Sequence, residues 1–107
     1  MTTTVRIMKR KAANRPAPRT VDIVIAKGDF TGWEVTARAD FPARVLADLQ
    51  ADSMARIMAA LDAIVISHNF PDSEGEIAAT MADVDPYQGV VMAAGEIFDA
   101  IAKLPNR

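Results

Sequence analysis

The segment VDIVIAKGDFTGWEVTARA, residues 21–39, decides the architecture. Val21, Ile23 and Ile25 alternate with Asp22, Val24 and Ala26, and further on Trp33, Val35 and Ala37 alternate with Glu34, Thr36 and Arg38. A period of two puts each set on its own face of an extended chain, so both runs read as half-buried strands. Between them, Lys27 to Gly32 supplies glycine at 28 and 32, where a reversing backbone needs positive φ, and an antiparallel hairpin is the economical connection. These glycines lack the spacing and the Lys-Ser/Thr ending of a phosphate-binding loop. A hairpin alone is marginal in water, so its apolar face must rest on other elements.

The downstream chain supplies them. Asp40 is placed to cap a first helix from Phe41-Pro42, with Pro42, Val45, Leu46 and Leu49 on one face. Asp52 or Ser53 restarts the pattern, and Met54, Ile57, Met58, Leu61, Ile64, Val65 and His68 recur at helical spacing for about four turns until Asn69-Phe70-Pro71. An acidic loop, Asp72 to Glu76, follows. Thr80 with Asp83 reads as a capping box on a single turn, and Asp85-Pro86-Tyr87-Gln88 as the start of a last helix. That helix should bury Tyr87, Val90, Val91, Ala94, Phe98 and Ile101, with Lys103 near its negative end and Pro105 beyond. The expected fold is α+β: an N-terminal hairpin packed on a layer of three helices, with Thr4 to Met8 able to add a third strand through Val5 and Ile7.

The length of 107 residues fits one domain, and a half-apolar composition with 24% charged residues is that of a globular protein. The net charge of −2 conceals an uneven distribution. Residues 1–20 hold Arg6, Lys9, Arg10, Lys11, Arg15 and Arg19 with no acidic residue, a local +6; the six other basic residues and all 14 acidic ones leave residues 21–107 at −8. A basic arm, with the stiff segment Arg15-Pro16-Ala17-Pro18-Arg19, therefore precedes an acidic body. It suits a solvated tail, or contact with an acidic partner or the acidic body of a neighbouring copy. Six charges without interleaved aromatics match nucleic-acid binding poorly, and prolines 16 and 18 break up the amphipathic helix of a transit peptide. Apolar runs such as Val90 to Ala94 are too short to cross a bilayer.

Catalytic chemistry finds little to work with. The absence of cysteine removes disulfides, thiolate metal sites and thiol nucleophiles. The single histidine, His68, cannot assemble a zinc site unaided, and Asp72, Glu74 and Glu76 lack EF-hand spacing. Ser53, Ser67 and Ser73 stand in no nucleophile elbow, and Asp83 and Asp85 are explained by capping. No enzyme, metal or cofactor is expected. Surface contact is, and six methionines include Met54, Met58, Met81 and Met92, flexible apolar side chains suited either to this core or to an irregular partner. The candidate partner-binding residues are Arg6, Lys9, Arg10, Lys11, Arg15 and Arg19 on the arm and Met54 and Met58 on the long helix.

Several segments in order resemble one family: Phe30-Thr31-Gly32-Trp33-Glu34-Val35; Asp40-Phe41-Pro42 before an alanine-rich helix pair; His68-Asn69-Phe70-Pro71-Asp72; Thr80-Met81-Ala82-Asp83-Val84-Asp85-Pro86; and Lys103-Leu104-Pro105-Asn106. Together they are similar to tail assembly chaperones of long-tailed bacteriophages infecting actinobacteria. The likeness covers residues 21–107 and leaves out the basic arm. It implies a non-enzymatic protein that binds the tape measure protein, keeps it soluble, helps recruit tail tube subunits, works in the host cytoplasm and is absent from the mature virion. It also implies a longer product made by ribosomal frameshifting, and no residue roles transfer with it. A homo-oligomer fits the charge division. Two other readings stay open: a structural virion protein, such as a head-tail connector or tail terminator, using the arm for subunit contacts, and a small nucleic-acid-binding module.

Overall fold

A computed structural model describes residues 12–14 and 17–104. The hairpin forms where its alternation places it. Strand β1 (Thr20–Val24) pairs antiparallel with β2 (Glu34–Arg38), Val21 opposite Ala37 and Ile23 opposite Val35. Those four side chains and Ile25 are buried, while Thr20, Asp22, Val24 and Glu34 face solvent. Gly28 and Gly32 adopt φ of 81° and 92°, as the reversal requires. The Gly32 N–H closes the turn on the Ile25 carbonyl at 2.8 Å.

Helix α1 (Ala43–Leu49) begins at Pro42 with no side-chain cap. The cap expected from Asp40 does not form, because the helix starts later with Pro42 at the cap position; the Arg38 guanidinium donates to the Asp40 carbonyl at 2.9 Å and lies 3.8 Å from its carboxylate. Ser53 caps α2 (Met54–Ile64) by accepting the Arg56 N–H at 3.3 Å. Arg56 in turn donates through Nε and Nη2 to Asp48 at 2.9 and 2.7 Å, fastening α2 to α1.

The long helix expected to run through His68 stops at Ile64, and Val65–His68 forms β3 on the free side of β2. The sheet is therefore three-stranded and antiparallel in the order β1-β2-β3. Apolar periodicity does not see this break, because Val65 and His68 keep helical spacing with Leu61 and Ile64. The β-branched pair Val65-Ile66 favours extended backbone, and pairing satisfies N–H and C=O groups of β2 that would otherwise lack partners. His68 lies opposite Val35 and Ser67 opposite Thr36, whereas Val65 lies opposite Ala37, so Ile66 is the extra residue of a bulge. The third strand thus comes from the middle of the chain, and the Thr4 to Met8 expectation lies outside the described residues.

Asn69 secures β3 to the hairpin: its Oδ1 accepts the Glu34 N–H at 2.7 Å and its Nδ2 donates to the Gly32 carbonyl at 3.1 Å. The chain then passes through Phe70, fully buried, and bridges Pro71 to Ile77 around the acidic loop. There the Asp72 Oδ1 accepts N–H groups of Glu74 and Glu76 at 2.8 and 3.0 Å. The single turn expected after Thr80 is present over Met81–Asp83, held to α2 by the Met81 N–H donating to Asp62 Oδ1 at 3.0 Å. Helix α3 (Gln88–Ala102) starts later than expected, with Tyr87 rather than Asp85 at the cap position; the Asp85 N–H is committed to the Pro71 carbonyl at 2.9 Å. The core between sheet and helices holds no buried polar or charged side chain among the described residues.

Candidate interaction surface

The face that α3 turns inward is in part the one its apolar pattern suggests: Val90 and Ala94 are buried as expected, whereas Tyr87 and Val91 are not. Gly89, Val90, Ala93, Ala94 and Ile97 are its buried residues, Phe98 and Ile101 are half-buried, and Tyr87 and Val91 are 58% and 45% exposed. Small residues explain the rotation. Gly89 sits against the ring of Trp33, so the helix can approach the hairpin along its 89-93-97 line, which swings residues 87 and 91 outward. Glycine and alanine carry little weight in an apolar stripe, and the close approach they permit shows only in the sequence spacing of Gly89 and Ala93.

The outcome is an exposed apolar strip of Tyr87, Val91 and Met92, with Phe30 of the hairpin turn beside it. These side chains and Gly95 floor an open depression of about 620 Å³, closed at one end by Glu96 and Asp99. A second depression of about 410 Å³ shares Met92 and Glu96 and reaches Val24 to Lys27 at the end of β1. The floor can bury apolar side chains, and its α3 border is anionic. Lys27 is the cation on the opposite, β1 side.

Three of the expected contact residues, Arg19, Met54 and Met58, lie within the described part of the chain, and none of them lines this depression. Met54 and Met58 are half-buried and pack on the core, and Arg19 is half-buried with its carbonyl accepting the Ala39 N–H at 2.8 Å. Arg6, Lys9, Arg10, Lys11 and Arg15 lie outside the described residues. Met81 is buried, which leaves Met92, 39% exposed, as the methionine on the strip.

His68 belongs to the packing between sheet and loop. Its ring stands 4.9 Å from that of Phe70, and its Nδ1 accepts the Phe70 N–H at 3.0 Å, which requires an unprotonated nitrogen. Its pKa is lowered from 6.5, chiefly by burial, against the opposing effects of a backbone hydrogen bond with Ala78 and the charge of Asp62. Since the folded value lies below the unfolded one, the stability this residue contributes is complete above about pH 6.5 and is lost as the pH falls through the folded value. Urea melts at about pH 7.5 and about pH 5 should show a smaller acid-induced loss for His68→Gln than for the parent. Equal losses would remove His68 as a source of acid sensitivity.

The described residues contain no group of three or more His, Cys, Asp or Glu side chains able to hold a metal ion, and no helix long and apolar enough to cross a membrane. Ser53 is committed to capping, while Ser67 and Ser73 are exposed on a strand edge and a loop. The described residues also expose Val24, Ile66 and Ile77, and the α3 depression is where exposed apolar side chains share one floor. Compared with known proteins, the chain matches no family model, no curated protein and no solved structure.

Proposed function

We propose that this protein is a non-enzymatic tail assembly chaperone of a long-tailed bacteriophage, acting in the host cytoplasm and leaving before the virion is complete. Its client is the tape measure protein, a long and mostly helical chain with exposed apolar stripes, and it also helps recruit tail tube subunits. The observation that carries the reading is the exposed strip of Tyr87, Val91 and Met92 beside Phe30, which gathers large apolar side chains on one open surface. A helix lays its own apolar stripe into such a depression by the helix-in-groove mode. The depression is shallow and small against a standard protein interface, which suits modest affinity per copy and displacement by tube subunits.

Co-expression with the tape measure protein tests the proposal. The client should be soluble with the parent chain and aggregate without it. Val91→Glu/Met92→Glu, two changes on exposed positions, should weaken binding by about 2 kcal/mol or more while leaving the fold intact. Equal solubility of the client with and without the chain would end the proposal. Unchanged rescue by the double variant would move the contact away from α3.

A further inference from the structure

We propose that the groove between α3 and the end of β1 receives residues 4–11 of a second copy of this chain, giving head-to-tail association. Two features of the groove point to this occupant. The first is backbone. Arg19 and Ile25 pair with Ala39 and Trp33 across the hairpin, and the alternation of an antiparallel ladder then turns the N–H and C=O groups of Asp22 and Val24 to the outer side of β1, an edge of the sheet. An extended segment can add there as a further strand. The second is chemistry: beside that edge lie the exposed apolar Val24 and Met92, with Glu96 of α3 and Lys27 of the hairpin lining the same depression and Asp99 bordering the adjoining one, so the α3 side carries the anionic charge.

The chain contains one segment with the complementary pattern. Within residues 4–11, Val5, Ile7 and Met8 are apolar and Arg6, Lys9, Arg10 and Lys11 are basic, while residues 21–107 carry −8. An added strand sets Val5 and Ile7 over Met92 and brings its cations toward Glu96 and Asp99. A second copy is the better source than the same copy. Arg19 continues the line of β1 at the end opposite Val24, and Pro18 before it favours extended backbone, so residues 17–19 lead away from the groove. Because the arm and groove of one copy engage different neighbours, the contact is heterologous and the assembly can grow.

The association involves no client, so it stands or falls independently of the chaperone reading. Charge exchange in the full chain tests it by sedimentation velocity at low salt. The parent should self-associate reversibly, and Glu96→Lys/Asp99→Lys and Lys9→Glu/Arg10→Glu should each associate about tenfold more weakly. An equimolar mixture of the two variants should recover association, since the cationic arm of one then faces the anionic groove of the other and the reverse pair is also complementary. Glu96 and Asp99 are exposed, and far-UV circular dichroism of each variant checks the fold; Lys9→Glu/Arg10→Glu leaves the described domain untouched. A parent that sediments as a monomer at every concentration, as it would with the arm folded onto its own copy, overturns the proposal. So does a mixture no more associated than its components.

Discussion

Phe70→Ala should remove about 3–5 kcal/mol of stability, the cost of deleting a fully buried aromatic ring and leaving a cavity that surrounding groups only partly fill. Domains of this kind are stable by about 5–15 kcal/mol, so the variant should lose a large part of its stability and melt at a clearly lower temperature. Phe70 is 0% exposed and is the largest of the fully buried side chains. Its ring centroid lies 5.1 Å from that of Trp33 on the hairpin and 4.9 Å from that of His68 on β3. Its backbone also fixes the following loop, as its carbonyl accepts the Ala78 N–H at 2.8 Å. The chain has a single tryptophan, and Trp33 packs against Phe70, so fluorescence during urea unfolding reports the loss at the site itself. A loss below about 1 kcal/mol would mean that the segment after β3 does not anchor the sheet to the helices.

The same segment marks the limit of what local sequence signals specify in this fold. The hairpin was legible because two alternating runs flank glycines that must adopt positive φ, and both signals are local. The α+β class and the three helical regions follow from equally local periodicity, whereas of the caps expected on these helices only Ser53 forms. Val65 to His68 is different. Its residues satisfy a helical stripe with Leu61 and Ile64, and what extends them is the unpaired side of β2, a partner some 30 residues earlier in the chain. The local signal for the change is weak, a β-branched run of Ile64-Val65-Ile66 with neither glycine nor proline to end the helix. The interaction surface was missed for a related reason. Tyr87 and Val91 read as core because they are large and apolar, whereas the burial of α3 is governed by how near Gly89 and Ala93 let it come. Exposed Met92 was legible only as one of several methionines.

Gly89→Ala separates these two influences on α3 by the sign of its effect. In a solvent-exposed helix interior the change stabilises by about 1 kcal/mol, because alanine restricts the unfolded chain and favours helix. At residue 89 the added methyl carbon would stand 2.8 Å from Trp33 Cε3 and closer to two further ring carbons. The ring has little room to retreat: it meets Phe30 edge-on at 4.8 Å on one side and Phe70 at 5.1 Å on another. Overpacking costs about 1–3 kcal/mol, and contact with three carbons of a ring held in this way puts it at the upper end, so a net destabilisation of about 2 kcal/mol is expected after the gain in helix propensity. Gly95, on the same helix with nothing within 4 Å of its Cβ direction, is the internal control, and Gly95→Ala should be neutral or stabilising. Thermal melts of both variants settle the comparison. If Gly89→Ala raises the melting temperature as Gly95→Ala does, then α3 does not press on Trp33, the packing of residues 89, 93 and 97 no longer accounts for its rotation, and Tyr87 and Val91 lose the structural reason for facing outward. If only Gly89→Ala destabilises, the close approach that exposes the strip is also what holds helix and hairpin together, and recognition and stability share one contact.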